Sequence, residues 1–142
     1  MKSATEPLSV NMKTSIVLLE VFLVAIIIAL IVTIMNSVFA VQILAITLVS
    51  PIIILTIVFI YYCRRRNVWS YVGASILGVI GVILRVIIST QPNLEVGGGL
   101  PIGITVLYMV VGALVALKSY ESFLELRTLN YKKDNNPKIN LK

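Results

Sequence analysis

Four long apolar runs divide the chain. They cover Thr14 to Met35, Val38 to Cys63, Val68 to Thr90 and Pro101 to Leu117. Each approaches or exceeds the roughly 20 apolar residues that carry a helix across ~30 Å of hydrocarbon. Short polar breaks separate them: Asn36-Ser37, Arg64-Arg65-Arg66-Asn67, and the longer Gln91–Leu100. The pattern predicts an all-α polytopic membrane protein, a four-helix transmembrane bundle. Its spans are expected at 14–35, 38–63, 68–90 and 101–118, within one membrane domain, 14–118. A polar segment, 1–13, precedes it and a basic tail, 119–142, follows. Val and Ile dominate the runs, and inside lipid they still form helices, because every backbone polar group must be bonded within its own segment.

Several local signals refine this outline. The first run could be taken for a signal peptide, since Val38-Phe39-Ala40 resembles a cleavage site. It is far longer than the 7–15 apolar residues of a signal core, so it is expected as a retained span. Pro51 falls in the middle of the second run and removes one helical hydrogen bond; a kink is expected there. Thr47 and Ser50 are placed to help satisfy the freed carbonyl. Pro101 suits the first turn of the fourth helix. The helical pattern continues beyond the fourth span through Tyr120, Phe123, Leu124 and Arg127, as a helical cytoplasmic extension. Asn130 to Lys142 is expected to be mobile. Gly97-Gly98-Gly99 reads as a hinge and not as a phosphate loop, since neither a strand nor a Lys-Ser/Thr pair flanks it.

Composition agrees with the pattern: 58% of the 142 residues are hydrophobic, 13% are charged, and the mean hydropathy is +1.01. The net charge is +6. In a soluble protein that would suggest nucleic acid, but the positions of the cations exclude it. Lys2 and Lys13 precede the first span; Arg64, Arg65 and Arg66 follow the second; Lys118, Arg127, Lys132, Lys133, Lys138 and Lys142 follow the fourth. With four spans, every basic residue except Arg85 falls on one side, and the opposite loops carry only Glu95. The positive-inside rule then predicts a multi-pass protein of the cell membrane with both termini cytoplasmic. The cations, with Arg64, Arg65, Arg66, Lys132 and Lys133 as lipid-facing candidates, would meet anionic headgroups. Tyr61, Tyr62, Trp69 and Tyr71 form the expected aromatic belt at that boundary.

The chemistry available is sparse. There is no histidine and a single cysteine, Cys63. That excludes an intrachain disulfide and removes the commonest metal ligand and general base. No catalytic constellation, metal site or cofactor site is expected, and the chain is not expected to be an enzyme. Cys63 reads as an idle thiol, with juxtamembrane palmitoylation as the alternative.

Two ionisable residues fall within the apolar runs. Arg85 lies about 7–8 Å inside the outer end of the third span. Gln42 and Thr105 are at similar depth. Arg85 is expected as a polar clamp bonded to Gln42 and helix-end carbonyls, the alternative being an anion or substrate site. Glu20 lies about 9 Å inside the cytoplasmic end of the first span. It is expected to pair with Lys13, Lys118 or an arginine of the 64–66 run, the alternative being a proton or cation site. A glutamate in the first of four helices is similar to that of the small multidrug resistance transporters, but their surrounding glycine, proline and tryptophan pattern is absent. Ile83-Leu84-Arg85-Val86-Ile87-Ile88, late in the third span, resembles the corresponding region of the phosphate-starvation-inducible E family. The acidic residue expected late in that family's second span is missing, where this chain reads Leu55-Thr56-Ile57-Val58-Phe59-Ile60.

Small residues recur at helical spacing. In the third run Tyr71, Ala74, Gly78, Gly81, Arg85 and Ile88 share one face, which makes that helix the expected centre of the bundle. Gly112 and Ala116, like Ala25 and Ala29, are four apart. Such faces let helices approach closely, within the monomer or against another subunit. The expected function is a non-catalytic accessory or structural subunit of a larger membrane complex, a respiratory or other energy-converting assembly among the settings, with other membrane subunits as partners. A small transporter or channel using Glu20 and Arg85 is the alternative. A membrane-structuring protein, such as a viral envelope or holin-like component, is the second.

Overall fold

The computed structural model describes residues 8–36, 39–90 and 102–134. They form four helices and, among the described residues, no strand: α1 (Val10–Asn36), α2 (Phe39–Arg64), α3 (Val68–Thr90) and α4 (Ile102–Asp134). All four are long and apolar enough to cross a membrane. Ser37, the Gln91–Leu100 loop with its glycines and Glu95, Pro101, and the terminal residues with Lys2, Lys138 and Lys142 lie outside the described residues.

Consecutive helices run antiparallel and α1 packs back on α4, so the bundle closes as a ring. The third helix, the expected centre of the bundle, has the largest buried share of the four spans. α3 is one of four wall helices, and it meets α4 far more extensively than it meets α2. Glycine shapes both contacts: Gly78 and Gly112 bring the α3 and α4 backbones together, whereas towards α2 only Gly73 gives way, to the ring of Phe59. α2 is the least buried of the four, with Thr56 and Cys63 alone fully enclosed among its described residues.

Two boundaries differ from the sequence expectation. α1 starts at Val10 and not Thr14, because the Ser9 hydroxyl accepts from the Met12 amide at 3.3 Å and caps the helix. α4 is a single helix through Asp134, about 50 Å long. It therefore includes Asn130–Asp134, expected in the mobile tail. What holds both ends is a seam of positions three and four apart. On α1 it runs Met12, Ser15, Leu19, Phe22, Ile26; on α4 it runs Leu126, Ser122, Ser119, Val115, Gly112. The first turns of α1 are polar in composition, but they turn Met12, Ile16 and Leu19 inward, with Ser15 among them.

The α2–α3 connection is compact. Arg66 adopts a left-handed backbone, φ 58°. The amides of Arg66 and Asn67 bond back to the carbonyls of Cys63 and Tyr62 at 3.0 and 3.2 Å, satisfying the end of α2. Asn67 then caps α3: its Oδ1 accepts from the Trp69 amide at 3.1 Å.

Pro51 interrupts neither the run of α2 nor its helical assignment. Thr47 and Ser50 do not serve the carbonyl that Pro51 frees, which is that of Thr47. Their hydroxyls donate to the carbonyls of Ile43 and Ile46, at 2.8 and 2.6 Å. A hydroxyl reaches the preceding turn of its own helix more easily than the next one.

Candidate functional site

The bundle is organised by a notch that receives Phe22. A Cβ built on Gly78 would lie 2.6 Å from the Gly112 carbonyl oxygen and 2.9 Å from the Ala116 amide nitrogen. Backbone therefore touches backbone where α3 crosses α4. Ser75 Oγ donates to the Ala116 carbonyl at 2.9 Å one turn away. Gly81 and Gly112 leave the hollow into which Phe22 of α1 inserts. A Cβ on Gly81 would lie 2.9 Å from the Phe22 ring, and one on Gly112 3.5 Å. The ring also tilts against Tyr108, centroids 5.2 Å apart. Ala74, Gly78, Gly81 and Gly112 are all buried and Ala116 is half-buried; of these, Gly78 faces Gly112 and Ala116 across the α3–α4 contact.

Arg85 lies one turn beyond Gly81. Its Nη2 donates to Thr105 Oγ1 at 2.5 Å, tying the last third of α3 to the start of α4. Tyr108 stands one turn further along α4, its phenol over Gly81. Gln42 occupies the neighbouring corner: its Nε2 donates to the Ile34 carbonyl at 2.8 Å and joins the start of α2 to the end of α1. The structure thus brings Arg85 to Thr105 and gives Gln42 a bond to α1.

At the other end Glu20 Oε1 accepts from Arg64 Nη2 at 2.5 Å. This pair links α1 to α2 on the outer surface of the bundle, with the side chains 43% and 62% exposed. Lys118 pairs with Glu121 on α4 at 2.6 Å. Arg65 lies over the Tyr61 ring at 4.6 Å, and Tyr61 meets Tyr62 edge-on at 5.3 Å. Lys132 and Lys133 are exposed in the last turn of α4. Tyr71, expected in an aromatic belt, is fully buried and donates to the Cys63 carbonyl at 3.0 Å. Its position on the small-residue face of α3 turns it inward.

Sequence reasoning missed the polar part of the α1–α4 seam. Ser15 and Ser122 are fully buried, with hydroxyl oxygens 2.9 Å apart. Ser122 also donates to the Lys118 carbonyl, so its one proton is committed and Ser15 must be the donor between them. One turn away Glu125 accepts from Ser9 at 3.1 Å and from Asn11 at 3.3 Å. Ser119 is fully buried too, and its hydroxyl has no partner among the described residues. The signal available was spacing: Ser15, Ser119 and Ser122 occupy seam positions otherwise filled by Leu, Phe, Ile and Val.

Among the described residues no group of His, Cys, Asp or Glu could hold a metal ion. Fold and polar contacts together define a polytopic four-helix bundle whose charged and amide side chains link its own helices. No family model, curated protein or solved structure matches the chain.

Proposed function

We propose that the chain is a non-catalytic structural subunit of a larger assembly in the cell membrane, inserted with both termini cytoplasmic. The observation that carries this reading is the use made of the polar groups at membrane depth. Arg85 bonds Thr105, Glu20 bonds Arg64 and Gln42 bonds the Ile34 carbonyl. Each contact joins two helices of the same chain, and the glycine notch between α3 and α4 is filled by Phe22. Chemistry that a transporter would keep for its cargo is spent here on holding the bundle together. The remaining membrane-facing surface, widest on α2, is apolar and suits neighbouring subunits and lipid. An energy-converting assembly is one such setting. Orientation rests on the cations gathered at the end where α1 begins and α4 finishes.

The test is purification in mild detergent. Stable, stoichiometric membrane partners are expected. A chain that purifies alone, or assembles with itself in lipid without a partner, overturns the subunit reading. In liposomes, Glu20→Gln and Arg85→Ala are expected to leave ion and solute flux unchanged. A wild-type flux abolished by both, with the fold intact, would establish the transporter alternative instead.

A further inference from the structure

We infer that the α2–α3 turn carries a binding site for the phosphate of an anionic phospholipid, built around Arg65. It rests on the membrane-spanning fold and not on the subunit reading. The cations at this end differ in what they have left to offer. Arg64 is held by Glu20 and Lys118 by Glu121. Arg66 takes the left-handed backbone that closes the turn and is half-buried. Arg65 is exposed and forms no ion pair among the described residues; its contact is with the face of Tyr61, one turn earlier on α2. A guanidinium held against a ring face keeps its N–H donors, which can meet two phosphate oxygens at once. The backbone under it is rigid, since the turn's amides are bonded to the carbonyls of Tyr62 and Cys63 and Asn67 caps α3.

The surroundings select an anionic lipid. Tyr61 and Tyr62 are half-exposed, and Trp69, 78% exposed, stands in the first turn of α3. These are amphipathic rings at the end of two spanning helices, the level at which headgroups lie. A zwitterionic headgroup would also bring an ammonium group, and Glu20, the acidic residue among those described that is bound at the turn, is already held by Arg64.

The site is tested on the full chain in detergent, exchanged into mixed micelles of phosphatidylglycerol and phosphatidylcholine, with bound lipids counted by native mass spectrometry. Preferential retention of phosphatidylglycerol is expected. Arg65→Gln should lower that retention about fivefold, the equivalent of one cation near an anionic surface. Tyr61→Leu, which keeps the cation and removes its ring, should lower it by less. Arg127→Gln, an exposed cation elsewhere at this end, should leave it unchanged. Equal retention of the two lipids, or wild-type retention by Arg65→Gln, overturns the site. Complete displacement of phosphatidylglycerol by excess inorganic phosphate also overturns it, in favour of a free-phosphate site.

Discussion

At Gly78 the place of a side chain is already taken by backbone. The atoms nearest to an added Cβ are the Gly112 carbonyl oxygen and the Ala116 amide nitrogen, neither of which can swing aside. Gly103, on the same pair of helices, is the opposite case: nothing lies within 4 Å of its added Cβ. Alanine is the better helix former by ~1 kcal/mol at both positions. At Gly78 that gain is outweighed by the separation α3 and α4 must undergo, and overpacking of this kind costs about 1–3 kcal/mol. Gly78→Ala should therefore lower the thermal unfolding midpoint in detergent. Gly103→Ala should leave it unchanged or raise it slightly. Equal midpoints for the two variants would mean that the α3–α4 contact is looser than the described geometry.

The α1–α4 seam shows at the scale of elements how one residue type can act in opposite directions. Ser122 takes part in two hydrogen bonds, and truncating it strands the buried Ser15 hydroxyl. Ser119, one turn away, is equally buried but its hydroxyl has no partner among the described residues. A buried unsatisfied hydroxyl costs about 1–3 kcal/mol. Ser122→Ala is thus expected to destabilise the bundle by an amount in that range, and Ser119→Ala to stabilise it by ~1 kcal/mol. Chemical denaturation of the two variants in one detergent checks the opposite signs. The seam also marks the limit of what the sequence made legible. The four helices were readable because a span is a long property, averaged over some 20 residues. The small-residue face from Ala74 to Gly81 was readable because glycine at helical spacing has few other uses in lipid. Phe22 was not, since one aromatic among many apolar residues carries no sign of the hollow that will receive it. Nor was the N-terminal extension of α1: Ser9 and Asn11 read as part of a polar leader until Glu125 is seen opposite them. Nor was the bond of Gln42 to the Ile34 carbonyl, which depended on how α1 and α2 are set side by side.

For the molecule as a whole, the distribution of charge is the property that orients it. Among the described residues Lys13, Arg64, Arg65, Arg66, Lys118, Arg127, Lys132 and Lys133 lie towards one end of the bundle, and Arg85 alone lies towards the other. Only some of the cations at the first end are paired with acids, so the asymmetry survives folding as a field and not only as a count. Cations resist transfer across the membrane, so the proposed orientation puts that end on the cytoplasmic side. The fold supplies a clean way to test this. Cys63, the one cysteine of the chain, is fully buried, so the folded wild type should not react with a membrane-impermeant maleimide applied to intact cells. Asp134 and Gly103 are both exposed and lie at opposite ends of α4. In a Cys63→Ala background, Gly103→Cys should be labelled on intact cells, and Asp134→Cys only after the membrane is opened. The reverse pattern would place the arginine turn outside, and the positive-inside argument would fail for this chain. Labelling of both sites on intact cells would mean that α4 does not cross the bilayer, and with it the four-span reading would fall.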